Sequence, residues 1–220
     1  MKNYKLSELV LDFDLYPRGG VDSHHVGEIA AAIEAGSVMP PLVVDKKSKR
    51  IVDGVHRWKA YRRLFDEDHE VQCVEKTYKN EGEMLLDAMR FNASHGRALT
   101  QHDKTHCLIL GEKYNLSVEA IAQALNLTTS RIGALQTGRI GKIGTRKFAL
   151  KQTIRHMANT QLTSRQETAN EKLSGMNQLF YVNQIKTLIE NDLIDMNNSE
   201  LLDGLNSLRS LLDSLFRKVA

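Results

Sequence analysis

The sequence is short of the residues that make cross-links, metal sites and membrane spans. It has two cysteines, Cys73 and Cys107, with no ligand spacing around them. His102 and His106 precede Cys107, but no second cluster completes a four-ligand site, so the thiols read as buried groups and no metal is expected. No apolar run approaches the roughly 20 residues needed to cross a bilayer. The opening Met1-Lys-Asn-Tyr-Lys-Leu-Ser-Glu8 lacks the apolar stretch of a signal peptide. These absences predict a cytoplasmic protein with no membrane partner. The 3 prolines matter by position, since Pro40-Pro41 prevents a preceding helix from resuming.

Acidic residues are missing from one long stretch. The net charge is +3, yet no Asp or Glu occurs between Glu119 and Glu167. Inside that gap lie Arg131, Arg139, Lys142, Arg146, Lys147, Lys151, Arg155 and Arg165, with no acid nearby in sequence. Such a local excess of positive charge is the footprint expected for a polyanion, here double-stranded DNA. At 220 residues the chain suits one or two domains, each able to bury a core.

Over the first 80 residues strand and helix signals alternate. Val26, Ile29, Ala30 and Ile33 fall at helical spacing, and Gly36 suits the stop. Leu42–Asp45 reads as a strand, 46–50 as a charged turn, and Ile51-Val52 as the partner strand. Glu70–Glu75 is a further alternating strand. The pattern implies a small mixed sheet flanked by helices. Ile51-Val-Asp-Gly-Val-His-Arg-Trp-Lys-Ala60 organises this half. A β-branched run ends at Asp53-Gly54, and His56 and Arg57 open a helix. Glycine permits the tight strand-to-helix turn, and the helix N-terminus offers free N–H groups to an anion. Arg57 suits a bidentate grip on phosphate, with His56 as a further donor.

The second half reads as helical. Helices are predicted over 81–91 and from Thr100 to about Tyr114, with Thr100 and Asp103 forming a capping box. Leu116–Leu125 and Thr129–Leu135 resemble a helix-turn-helix. Ser117 caps its first helix, and Asn126 takes the positive-φ turn position. Thr128, Thr129, Ser130 and Arg131 are then placed to meet base edges and phosphates. From Gly138 to Gly144 the glycines loosen the chain, and Arg139, Lys142, Arg146 and Lys147 suit phosphate contacts. The stretch 156–177 is polar and ambiguous. A helix over 179–194 and a last helix from near Ser199 carry apolar stripes. In the last, Leu201, Leu205, Leu208, Leu212, Leu215 and Val219 keep a heptad rhythm that needs a partner helix in the same chain or a second one; a homodimer is expected.

Asp53-Gly54-Val55-His56-Arg57-Trp58-Lys59-Ala60 resembles the phosphate motif of the ParB/sulfiredoxin superfamily. Tyr16-Pro17-Arg18 stands where ParB proteins have a similar Pro-Arg. Asn92-Ala-Ser-His95-Gly-Arg-Ala-Leu99-Thr100 resembles the family's second nucleotide-facing segment, in a form similar to that of the streptomycin-regulator branch. The likeness covers roughly the first 140 residues. It implies an α+β fold: a ParB/sulfiredoxin-like nucleotide-binding domain over 1–98, an all-α helix-turn-helix domain over 99–156, and a helical oligomerisation region over 157–220. It also implies a nucleoside triphosphate switch, with CTP first and ATP as the alternative, held by Arg18, Asp53, Gly54, His56, Arg57, Asn92 and His95. A nucleoid-associated partition or regulatory protein follows. Two departures stand out. Phe91 occupies the place of the Glu that helps hold magnesium in family members that hydrolyse CTP, which puts Mg2+ and turnover in doubt. Val55 replaces sulfiredoxin's catalytic cysteine. The alternative is a nucleotide-dependent kinase of the ParB-like free-serine type, with Asp53 or Glu28 as general base. A ParB-like nuclease has no metal cluster to support it.

Overall fold

The computed structural model describes residues 1–94 and 97–219. They form two compact units, 1–175 and 176–220. The first begins with strand β1 (Lys2–Lys5), a short 3-10 turn at Leu6–Glu8 and a loop through Tyr16-Pro17-Arg18. Helix α1 (Ser23–Glu34) is capped by Asp22, whose carboxylate accepts from the His24 and His25 N–H groups. Strands β2 (Leu42–Asp45) and β3 (Ile51–Asp53), helix α2 (Val55–Leu64) and strand β4 (Glu70–Lys76) follow.

The four strands make one sheet in the order β1-β4-β2-β3. β4 runs antiparallel to β1 and parallel to β2, and β2 pairs antiparallel with β3. The sheet is therefore mixed. All four residues of β2 are buried, so both faces are covered. Alternation divides them: Leu42 and Val44 pack with Val55 and Trp58 on one face. Val43 and Val52 join Met84, Leu85 and Met89 on the other. Those last residues belong to α3 (Glu81–Ser94).

The core beneath α3 continues into α4 (Gln101–Lys113), α5 (Val118–Ala124) and α6 (Thr129–Gly138) through Leu108, Ile121, Leu125, Ile132 and Leu135. The local signals explain where these helices start. Thr100 and Asp103 close the capping box on α4, and Ser117 and Thr128 cap α5 and α6. Asn126, at φ 53°, makes the turn between the last two.

The stretch from Gly138 to Gly144, expected to be loosened by its glycines within an all-α domain, is instead part of an ordered β-structure that runs to Ala149. It is a hairpin of β5 (Ile140–Ile143) and β6 (Arg146–Ala149), closed by the two-residue turn Gly144-Thr145 with Gly144 at φ 58°. The cause is burial: Ile140, Ala149 and Leu150 go into the interior, where Gly141 sits against Leu150 and Leu162. The ambiguous stretch beyond contains α7 (Ser164–Lys172). Asn170 on it is buried, donating to the Ala149 carbonyl at 3.0 Å and accepting from the Lys151 N–H at 2.9 Å. This pins α7 to the end of the hairpin.

The second unit holds α8 (Gln178–Glu190) and α9 (Ser199–Val219). α8 has no buried residue, and Leu179, Val182, Ile189, Leu212 and Leu215 are all exposed. No helix among the described residues is long and apolar enough to cross a membrane.

Candidate functional site

The strand-to-helix turn is built as the sequence implies. Gly54 has φ 96° and sits at the N-cap of α2, which no side chain caps. A Cβ there would lie 2.5 Å from Leu42 Cδ2 and 2.9 Å from Arg57 Nη2, so glycine is required on two grounds. With no capping side chain, the first N–H groups of α2 stay open for an acceptor, at the positive end of the helix dipole. A cleft of about 580 Å3 lies over this turn, lined by Gly54, His56, Arg18, Phe91, Asn92 and Arg97 among others.

Arg57 is already engaged. Its Nη1 donates to the Pro40 and Pro41 carbonyls at 2.7 and 3.1 Å, and Nη2 donates to Asp53 at 2.7 Å. The guanidinium thus ties the Pro40-Pro41 wall to the turn, and a phosphate would have to exchange with these acceptors. Arg18 is placed differently. It is only 9% exposed, and it donates through Nε to Asn92 Oδ1 at 3.1 Å and through Nη2 to the Arg97 carbonyl at 2.6 Å. Asn92 is held in turn by its bond to the Ala88 carbonyl at 3.0 Å. Both partners of Arg18 are neutral, and among the described residues it has no carboxylate.

The His56 ring stands beside it. Nε2 accepts from the Asp22 N–H at 3.3 Å, which fixes the neutral ring with its proton on Nδ1. Burial, then the nearby Arg18 and His25, push its pKa down to about 4. Arg97, which the sequence reading passed over, also lines the cleft and ion-pairs with Asp22. Its signal was its place in the segment after Asn92. The Tyr16 hydroxyl is buried with no partner among the described residues, and burial raises its pKa. His95 lies outside the described residues.

Among the described residues, Asp53 is the carboxylate in the cleft lining, whereas Glu28, Glu83 and Asp87 are not part of it. Phe91 is in the cleft wall, its ring 4.7 Å from Lys76 Nζ. Asp87 accepts from Lys76 and Tyr78, each at 2.8 Å, and Glu83 accepts from the Lys79 N–H. Asp53 is held by Arg57, while Glu28 accepts from the His25 ring at 2.9 Å.

The residues expected to face DNA fall into two groups. Thr129, Ser130 and Arg131 are exposed at the start of α6, after Thr128, which caps it. Arg146 and Lys147 find acids across space: Glu167 and Glu112, each at 2.6 Å. Local neutralisation is thus present where the sequence shows none. Lys142 is half-buried on β5. Arg139 is half-buried too, donating to Gln152 Oε1 at 2.5 Å. Its pKa is lowered by burial and by the neighbouring Arg155 and Arg131.

An α/β module with a glycine-opened helix over a cleft, joined to a capped pair of short helices, is the class defined so far. Residues 5–89 match the family model described as ParB N-terminal domain, and this segment belongs to that ParB-like family. The transcriptional regulator NovG of Streptomyces niveus is 29% identical over 132 residues, 59% of this chain and 40% of its own length. The streptomycin biosynthesis operon possible regulatory protein of Streptomyces griseus is 28% identical over 132 residues, 59% of this chain and 36% of its own. The chain therefore spans about two fifths of these curated relatives. Among solved structures, C-terminally truncated chromosome-partitioning ParB from Caulobacter crescentus complexed to the centromeric parS site is similar with TM-score 0.43 and 18% identity, over 61% of this chain and 70% of that one. The same protein complexed with CTP-gamma-S gives TM-score 0.38 and 19% identity, over 61% and 75%.

Proposed function

We propose that this chain is a ParB-like DNA-binding regulator whose α/β module binds a nucleoside triphosphate as a conformational switch. The observation that carries the nucleotide half is the uncapped N-terminus of α2 at Gly54, facing a cleft with a buried Arg18 whose acceptors among the described residues are neutral. Arg18, Gly54, His56 and Asn92 would surround the phosphates, with His95 and the Asp53-linked Arg57 beside them. CTP is the first candidate and ATP the second. Phe91 in the cleft wall supports slow turnover or none, and leaves any Mg2+ to the phosphates themselves.

The DNA half rests on the capped pair α5–α6, read as a helix-turn-helix, with Thr128, Thr129, Ser130 and Arg131 at the start of the second helix. The regulatory role is preferred to partition because the curated relatives named above are regulators. The exposed apolar faces of α8 and α9 would assemble a homodimer able to read paired half-sites. Residues 1–98 would then carry the nucleotide contacts, 99–156 the DNA contacts, and α8 and α9, within the 157–220 region, the dimer contacts.

The test is calorimetric titration of the purified chain with CTP and ATP, with and without a duplex pool. Saturable binding of one nucleotide supports the reading. No heat with either nucleotide, in either condition, removes its centre.

A further inference from the structure

A second cleft of about 430 Å3 opens on the other side of Arg18, His56 and Arg97, which line both cavities. Its far wall is made by Arg139, Lys151 and Gln152, at the end of α6 and just past the hairpin. Four cations line it, Arg18, Arg97, Arg139 and Lys151, against two carboxylates, Asp22 and Asp103.

Both carboxylates are committed. Asp22 caps α1 and pairs with Arg97. Asp103 accepts from the Thr100 N–H and hydroxyl at 2.9 and 2.8 Å, and from the Gly19 N–H at 3.0 Å. Lys151 Nζ donates to the Glu171 carbonyl at 2.6 Å. Arg139 gives Nη2 to Gln152 and, like Arg18, has no carboxylate partner among the described residues. The neighbouring charges that act on it are cations, Arg155 and Arg131. Two partly desolvated guanidinium groups facing one cavity without a counter-ion are costly unless an anion joins them. The chemistry that suits several converging guanidinium and ammonium groups is a chain of phosphates.

We propose that this second cleft is a phosphate-chain subsite, which receives the terminal phosphates of the nucleotide whose first phosphate meets the Gly54–His56 turn, with Arg139 as the contact on its far wall. This rests on the nucleotide reading above and reassigns Arg139 from the duplex to the small ligand. It also gives the ligand a mechanical route to DNA. Arg139 directly follows α6, the helix that presents Arg131 at its other end. A filled subsite would hold the end of that helix against the α/β module, whereas a nucleoside monophosphate would leave it unheld.

The experiment compares CMP, CTP and inorganic tripolyphosphate by calorimetry on the full chain and on two variants. Arg139→Gln removes the charge. Gln152→Glu keeps the shape, supplies Arg139 with a carboxylate and repels phosphate, so it serves even if the first variant folds poorly. In both, CTP affinity is expected to fall about tenfold or more, while CMP affinity stays within about twofold. Wild-type CTP affinity in both variants overturns the subsite and leaves the nucleotide reading standing. Arg139-dependent binding of tripolyphosphate, with none of CMP or CTP, keeps the subsite, makes free polyphosphate its ligand and removes the nucleotide reading. Binding of none of the three removes both.

Discussion

Replacing Gly54 by alanine tests the geometry on which the site depends. The residue sits at φ 96°, a conformation that costs an L-residue roughly 1–2 kcal/mol. The added Cβ also falls 2.5 Å from Leu42 Cδ2, and Leu42 is 1% exposed in the core beside Val55 and Trp58. Forcing a packed side chain aside typically costs about 1–3 kcal/mol. Together the two effects predict a loss of about 2–5 kcal/mol, a large share of the roughly 5–15 kcal/mol by which domains are stable. Gly144→Ala is the internal control. It too has a positive φ, 58°, but a Cβ there meets nothing within 4 Å. Its loss should stay near about 1–2 kcal/mol, from conformation alone. Urea unfolding followed by far-UV circular dichroism compares the two midpoints. Equal losses in the two variants would refute the claim that Gly54 is there for close approach to Leu42. Gly54→Ala should also weaken nucleotide binding, because the turn must shift before the α2 N–H groups can converge.

Arg57→Ala is expected to act twice, since its guanidinium holds Pro40, Pro41 and Asp53. It should cost about 1.5–3 kcal/mol of stability and lower nucleotide affinity about tenfold or more, read by urea unfolding and calorimetry. Unchanged unfolding would show that the proline wall does not depend on it. Acid stability should follow the neutral histidines. Burial lowers the pKa of His56, His102 and His106 below the unfolded value, so their contribution is complete above about pH 6.5 and is lost as pH falls below it. For His56 the loss runs down to about pH 4. His56→Gln should flatten that part of the stability profile, and an unaltered profile would contradict the neutral assignment. Arg131→Ala should erase sequence preference by about 1–3 kcal/mol, while Lys142→Ala should weaken all duplexes alike and reduce the salt slope by about one unit. Salt titrations of specific and random duplexes separate the two, and no change in either variant would remove the DNA reading of α6.

Features set by a few neighbouring residues were legible before the structure. Thr100 and Asp103, Ser117, and Asn126 each act on their own backbone within a turn, so spacing alone discloses them. The strand–Gly54–helix order and the mixed sheet were legible for the same reason, with β-branched runs ended by turn residues. The hairpin at 140–149 was not. Its glycines read as loosening, whereas Gly141 is demanded by Leu150 and Leu162 and Gly144 by the turn, and tertiary packing decides both. Charge pairing was hidden similarly. The acids that neutralise Arg146 and Lys147 come from Glu167 on α7 and Glu112 on α4, and Arg97 reaches Asp22 at the start of α1. In the site, Arg57 shows the limit of motif reading. The motif names the residue, but only the fold reveals that the carbonyls of Pro40 and Pro41 hold it.

The central claim is that nucleotide and DNA are coupled through one chain. Its most direct measurement is the affinity of a labelled cognate duplex, selected from a random pool, at fixed salt with and without saturating CTP. The account predicts a change of about fivefold or more, matched by an equal change in CTP affinity when the duplex is present, since coupling between two sites is reciprocal. Duplex affinity that is identical with and without bound CTP would contradict it.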